Sequence, residues 1–353
     1  MVKYVYLKNV LNPQKKTEYK LEENMEVYSK CSDYASDACP CELAENGCCI
    51  VCSMCRGEDY CSCTDTVSFC VYQDLINNGG KARPRRRSVR CQVTFVKQYG
   101  DDFRFIRLNI PDGDTTEFKK LGAYVFVRTN ENPHFDTPIS VLYDEQKNNS
   151  IGLLIQMQGI KTNCFRNLQK GDSVYLRGPY FNGIQGRKVI AGLRGGSAAV
   201  FCRGIGFLPS LGVILTLKAN GNKVDVYLDR GNFNTHLLNL LSRVFEVHLS
   251  EVDMCDETGK ITDEMRSVID KHLQNETGLL HFGMSDYLIK NIAEILDTYS
   301  QIPSVSFINN VQMCCGEGIC GACTRNIDSP RAVHLCKEQL DMEELKKIMK
   351  VKI

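Results

Sequence analysis

Met313-Cys314-Cys315-Gly316-Glu317-Gly318-Ile319-Cys320-Gly321-Ala322-Cys323, with a further Cys336, carries the sharpest chemical signal in the chain. Taken as ligands, Cys315, Cys320, Cys323 and Cys336 follow the spacing C-x4-C-x2-C, then twelve residues, then a last cysteine. That is the plant-type spacing of a [2Fe–2S] cluster held by four thiolates. Three ligands from one tight loop demand a closely wrapped backbone, and Gly316, Gly318 and Gly321 relieve the steric limit on φ. Amide N–H groups of such a loop point at the sulfurs and tune their potential. Zinc ordinarily takes two short Cys-x-x-Cys knuckles; only one half has that form here, so the cluster is preferred over zinc or a disulfide staple. Cys314 is left over, because adjacent thiols do not readily both ligate and glycine follows Cys315.

The rest of the composition frames this site. The 353 residues are enough for two or three domains. Charge is balanced, with 43 basic and 42 acidic residues, so no single-sign field points to nucleic acid or an anionic membrane. No run approaches the roughly 18 apolar residues of a membrane span, and Met1–Lys16 lacks the apolar core of a signal peptide. A cytoplasmic protein is expected. Its nineteen cysteines then imply metal or redox chemistry before disulfides. Ten lie between Cys31 and Cys70 and five between Cys314 and Cys336; only Cys91, Cys164, Cys202 and Cys255 lie between these groups.

Residues 1–80 read as a short strand and polar lead-in followed by a cysteine-rich module. Its C-x-C and C-x-x-C pairs chelate without long loop closure. The candidate ligands are Cys39, Cys41, Cys49, Cys52, Cys61 and Cys63, for a second centre that is either iron–sulfur or zinc, since both accept four thiolates. Residues 81–88, overlapping the run Asn77–Arg87, read as a basic linker kept in solvent by its like charges.

From Val89 the pattern is β. Ile151, Leu153, Ile155 and Met157 alternate with their neighbours, Ala123–Val127 is a short apolar strand, and Gly171-Asp172 turns into Ser173–Leu176. Short strands at this spacing predict an antiparallel barrel over 89–192. From Ala198 strands and helices alternate, which predicts a parallel α/β domain over 193–300. Its strands are Ala198–Phe201, then Val224, Val226 and Leu228, then Phe245, Val247 and Leu249; its helices lie near 209–219, 234–242 and 262–275, with one more capped by Ser285. A glycine-rich turn, Gly204-Ile205-Gly206-Phe207-Leu208-Pro209, joins the first strand to the first helix, where a pyrophosphate meets free backbone N–H groups. Residues 301–353 form the cluster domain. His281 and Cys202 are read as packed side chains.

This order of parts, from about 88 to 345, resembles the ferredoxin–NADP reductase superfamily. Within it the likeness is to the electron-transfer subunits of dihydroorotate dehydrogenase B and the flavin subunits of electron-bifurcating enzymes. Pro138-Ile139-Ser140 resembles the family's flavin segment, and Gly159-Ile160-Lys161-Thr162 its FAD pyrophosphate segment. Gly178-Pro179 with Asn182-Gly183 is similar to its barrel-closing turn, Gly204, Gly206 and Pro209 mark its nicotinamide loop, and Asp256–Thr262 resembles a later turn. Three positions depart: Thr137 replaces an arginine, Arg203 replaces a glycine, and Phe282 stands in a cysteine position. The resemblance implies FAD on the barrel, NAD(P)H on the α/β domain, and a C-terminal [2Fe–2S] cluster serving a partner redox protein or catalytic subunit. The alternative it leaves is a wiring module that joins two redox partners without nicotinamide. Dihydroorotate oxidation itself is not expected of this chain.

Overall fold

The computed structural model describes residues 29–63, 69–111, 113, 115–143, 149–328 and 331–350. The short strand expected near the start lies outside the described residues.

Six strands, β1 (Val89–Tyr99), β2 (Phe103–Asn109), β3 (Tyr124–Arg128), β4 (Thr137–Tyr143), β5 (Ser150–Gln156) and β6 (Ser173–Tyr180), close a barrel in the order β1-β2-β5-β4-β3-β6. Every pairing is antiparallel. β5 is buried on both faces rather than half-exposed as its alternation implied. Ile151, Leu153 and Ile155 fill the barrel, while Leu154 turns outward into the core shared with the next domain.

That domain is a sheet of β7 (Ile184–Gln185), β8 (Ser197–Arg203), β9 (Lys223–Asp229), β10 (Ser250–Glu251), β11 (Leu279–Gly283) and β12 (Ser304–Ile308), ordered β10-β9-β8-β11-β12-β7. All neighbours are parallel except β7 against β12. Helices α1 (Phe207–Ala219), α2 (Thr235–Val244), α3 (Asp263–Gln274) and α4 (Asp286–Leu296) intervene. The order reverses at β8, with β9 on one side and β11 on the other, so a crevice opens beyond the carboxyl ends of β8 and β11.

Two expectations need correction. The strand anticipated at Phe245, Val247 and Leu249 shrinks to Ser250–Glu251. Phe245 caps α2, Glu246 takes a positive φ of 51°, and Phe245 and Val247 drop into the same core as α2 instead of alternating on a sheet. The α/β unit also runs past residue 300, because β12 pairs along β11.

The C-terminal part holds the hairpin β13 (Thr324–Asp328) and β14 (Arg331–His334) and helix α5 (Met342–Met349), whose N-terminus is closed by an Asp341–Glu344 capping box. Buried Asn182 joins it to the barrel, donating to the carbonyls of Leu335 at 2.6 Å and Glu338 at 2.8 Å. Among the described residues, the N-terminal module has two short α-helices, Glu42–Glu45 and Val71–Asn77.

The basic run that follows is mostly exposed, as expected, but it is a strap tied down by ion pairs. Lys81 pairs with Glu45, Arg83 with Asp74, Arg85 with Glu42, and Arg86 with Asp33 and Glu317. Four of the five charges in residues 81–88 thus meet an acid on the surface the run crosses. Among the described residues, no helix is long and apolar enough to cross a membrane.

Candidate functional site

A cleft of 330 Å³ opens where the barrel, the β8–α1 loop and the cluster segment meet. β4 contributes Pro138, Ile139 and Ser140; the loop contributes Ile205, Gly206, Leu208 and Pro209; Asn309, Asn310, Val311 and Met313 close the third side. The flavin and nicotinamide segments expected from sequence therefore face one space, with Met313 leading directly into the cysteine loop. Tyr124 stands in the wall of this cleft with its hydroxyl buried and without a hydrogen-bond partner. Such a group costs about 1–3 kcal/mol when unsatisfied. Burial, with Cys336 as the next cause, raises its pKa, which places Tyr124 between the cleft and the cysteines.

The pyrophosphate segment sits one step away. Gln158 lines the cleft, but Gly159, Lys161 and Thr162 do not. Thr162 Oγ1 accepts from the amides of Gln158 at 3.0 Å and Gly159 at 3.1 Å, while Lys161 donates to the Asp136 carbonyl at 3.0 Å. Asp136, just before Thr137, is bound by Arg128 at 2.6 Å and Arg177 at 2.9 Å. Sequence reasoning missed Arg177; its only signal is its place before Gly178-Pro179.

Behind the nicotinamide loop the backbones touch. A Cβ on Gly206 would lie 2.0 Å from the Gly283 carbonyl oxygen, and one on Gly283 would lie 2.2 Å from Ser210 Oγ. Gly204 takes a positive φ of 53°. Arg203 turns aside to Asp229 at 2.9 Å and does not line the cleft. Phe282 points into the core, stacked on Phe201 with ring centroids 5.6 Å apart. His281 is buried between Ser210 (3.0 Å) and Ser306 (2.8 Å), and burial pushes its pKa down to about 3. Burial pushes the Cys202 thiol up to about 12. Both are packed residues, as read from sequence.

The loop Cys315–Cys323 wraps as its glycines require, with φ of 74° at Gly316 and 75° at Gly318 and Gly321. The Glu317 amide donates to Cys315 Sγ at 3.3 Å, and the amides of Cys320 and Ile319 also point at that sulfur. The thiols of Cys320 and Cys336 both meet that of Cys315, and Cys323 meets Cys336. The four expected ligands are thus together, while Cys314 is exposed. Hydrogen bonding from Cys336, and then from these amides, lowers the Cys315 pKa against the opposing effect of burial. Among the described residues, no three Cys, His, Asp or Glu side chains are placed to hold a single metal ion; a two-iron cluster instead divides its four thiolates between two irons.

No protein-family model matches the chain. The electron transfer subunit of dihydroorotate dehydrogenase B (NAD(+)) from Streptococcus pneumoniae is 24% identical over 232 residues, 63% of this chain and 84% of that protein. An NADH-dependent reduced ferredoxin-NADP oxidoreductase superposes with a TM-score of 0.54 at 15% identity, covering 74% of this chain and 94% of the other. An intact type IV self-sufficient cytochrome P450 monooxygenase gives 0.51 at 12% identity, covering 74% of this chain and 42% of the other. The chain has the ferredoxin–NADP reductase fold.

On this reductase fold the N-terminal cysteines form two groups. Cys39, Cys49 and Cys52 are buried together with Cys55, which was not among the expected ligands. Cys41 lies beside Cys39 and Cys31. Cys61 and Cys63, expected to join the same centre, are instead exposed and in contact with each other. The turn Met54–Arg56 carries Cys55 inward, whereas the chain after Gly57 runs out along the surface.

Proposed function

We propose that this chain is the electron-transfer subunit of a flavin and iron–sulfur oxidoreductase, drawing electrons from NAD(P)H through FAD and a C-terminal [2Fe–2S] cluster toward a partner redox protein or catalytic subunit. The observation that carries this reading is the shared cleft: Pro138, Ile139, Ser140, Gly206, Leu208, Pro209 and Met313 line one space, and Met313 directly precedes the cysteine loop in the chain. When bound, the flavin supplies the exchange between two-electron and one-electron transfers, and the cluster supplies the one-electron exit. The protein supplies position and electronics.

Ser140 offers a polar contact to a ring lying against β4. Backbone contact between Gly206 and Gly283 fixes the β8–α1 turn, so that Ile205, Leu208 and Pro209 face the cleft from the α/β side. Cys315, Cys320, Cys323 and Cys336 would hold the cluster, and the amides of Glu317, Ile319 and Cys320 would stabilise its sulfur charge. No acid or base is required of the protein. A wiring module without nicotinamide was motivated by Arg203 and Phe282, and neither side chain enters the cleft. The pneumococcal relative is named as a subunit, which supports a partner for this chain.

The test is anaerobic purification with FAD, iron and sulfide quantified, followed by titration with NADH and with NADPH under visible absorption. Bleaching of flavin and cluster by one nucleotide is expected. Bound flavin and iron that ignore both nucleotides would leave the wiring module; absence of flavin would overturn the reading.

A further inference from the structure

The N-terminal module holds a thiol group that the reductase fold does not explain. We propose that Cys39, Cys49, Cys52 and Cys55 are the four ligands of a [4Fe–4S] cluster seated against the Cys315–Cys323 loop. The seating clause rests on the proposed [2Fe–2S] reading of that loop; the ligand set does not.

These four thiols are buried, with exposures of 7%, 7%, 3% and 5%, whereas Cys48, Cys61, Cys63 and Cys70 are exposed. The Cys52 amide donates to Cys49 Sγ at 3.4 Å, and the Cys55 thiol meets that of Cys52, with Cys49 and Cys39 close enough to act on it. Amides of Cys52 and Val51 both point at Cys49, as the loop amides do at Cys315. The spacing fits a cubane. Cys49, Cys52 and Cys55 form C-x2-C-x2-C, and the remote fourth cysteine is followed by Pro40, as in the bacterial C-x2-C-x2-C-x3-C-P run. Here that fourth cysteine precedes the other three in the chain.

Energetics argue against four idle thiols. Besides the cysteines, the buried apolar side chains of the module among the described residues are Leu43, Ala44, Val71 and Leu75. A unit this small with so few apolar contacts ordinarily needs a metal or disulfides to hold its shape, and its cysteines are free.

The module is also held in place. Lys337, next to Cys336, pairs with Asp33 at 2.8 Å, and the Ser32 amide donates to the Lys337 carbonyl at 2.8 Å. A Cβ on Gly318 would lie 3.0 Å from Leu43 Cδ1, so the helix Glu42–Glu45 is what separates the two cysteine groups. Its Leu43 side faces the loop, and its Ala44 joins the thiol core.

The experiment uses the full chain, purified anaerobically, with iron, sulfide and zinc measured. About six irons and six sulfides are expected. Cys55→Ala should lose about four irons and Cys315→Ala about two, with Cys61→Ala unchanged. One zinc alongside about two irons, or about six irons surviving Cys55→Ala, would overturn the proposal. Should Cys55→Ala fail to fold, alkylation of the wild-type chain decides. Iodoacetamide should modify Cys48, Cys61, Cys63 and Cys70 but reach Cys39, Cys49, Cys52 and Cys55 only after the metal is stripped; prior labelling of those four overturns the site. Mutual broadening of the two reduced-cluster EPR signals supports the seating, and two independent signals overturn it. A chain with about four irons and no flavin would end the proposed electron-transfer function yet leave the ligand set standing.

Discussion

Arg177 in β6 donates to the Cys315 carbonyl at 2.7 Å and, with its other terminal nitrogen, to Asp136 at 2.9 Å. The same guanidinium reaches the Cys314 carbonyl at 3.3 Å and lies 4.4 Å over the Phe126 ring. One side chain therefore clamps the turn that leads into β4 to the Cys314–Cys315 backbone. A planar fork with five donors suits this task in a way that a point charge does not.

Removing that clamp should be costly. Arg177→Ala leaves Asp136 with Arg128 as its remaining partner and strips two carbonyls of a donor. The expected loss is about 3 kcal/mol, the scale of breaking a largely buried pair. Arg177→Lys keeps the charge without the fork and should lose about half as much. Guanidinium unfolding measures both, and a lysine variant as unstable as the alanine one would show that charge contributes nothing.

His281 sets a pH dependence. Ser210 Oγ donates to the Gly206 carbonyl at 2.8 Å, so it accepts from His281 Nε2–H; Nδ1 then accepts from Ser306. The ring is neutral in the fold, with its pKa pushed to about 3 by burial, against about 6.5 in the unfolded chain. Below about 6.5 the unfolded state binds the proton and the native state does not, so stability falls as pH drops toward 3. The loss from pH 7 to pH 5 should be about 2 kcal/mol. Burial lowers His272 as well and adds the same sign. Denaturation midpoints for wild type and His281→Gln at both pH values isolate the His281 share; equal slopes would refute it.

The barrel, the alternating α/β order and the gathering of Cys315, Cys320, Cys323 and Cys336 were legible because each follows from a local rule. Period-two alternation marks strands, glycine marks positive φ, and ligand spacing marks a loop. What was not legible is pairing over long separations. Arg86 finds Asp33 and Glu317, and Arg177 finds Asp136 and the cysteine carbonyls, across distances in sequence that no window spans. The ion pairs of the basic run were not legible because its acids lie on other segments. The strand at Phe245–Leu249 failed for the opposite reason: its alternation is real, but a turn can bury Phe245 and Val247 as well as a strand can.

Gly206 should tolerate no side chain. Its φ of −61° is open to any residue, so the constraint is the Gly283 carbonyl 2.0 Å from a Cβ position. Gly206→Ala must push the β8–α1 loop away from β11, and overpacking of this kind costs about 1–3 kcal/mol or more. Nicotinamide-dependent bleaching should be lost while iron content is kept. Gly192→Ala, where nothing lies within 4 Å of the added carbon, is the control and should behave as wild type. Full nicotinamide response in Gly206→Ala would show that the loop does not form that site.

Lys337 is the pin of the N-terminal module. Its side chain is wholly buried, 2.8 Å from Asp33 and 3.5 Å from Glu317. Burial alone would raise the Asp33 carboxyl, yet Lys337 and Arg86 hold it below its ordinary range. Lys337→Met leaves two buried carboxylates with Arg86 as their shared cation and the Tyr180 hydroxyl on Glu317, at a cost of about 3–5 kcal/mol. The module should then lift from the cluster loop, exposing the strap of residues 81–88 to trypsin. A tenfold or greater rise in cleavage is expected, equivalent to about 1.4 kcal/mol of easier opening. Pairing Lys337→Met with Asp33→Asn removes a stranded charge and should recover part of the loss, a coupling that a double-mutant cycle reads directly. Additive losses in that cycle, or unchanged cleavage in Lys337→Met, would show that the ion pair does not hold the module down.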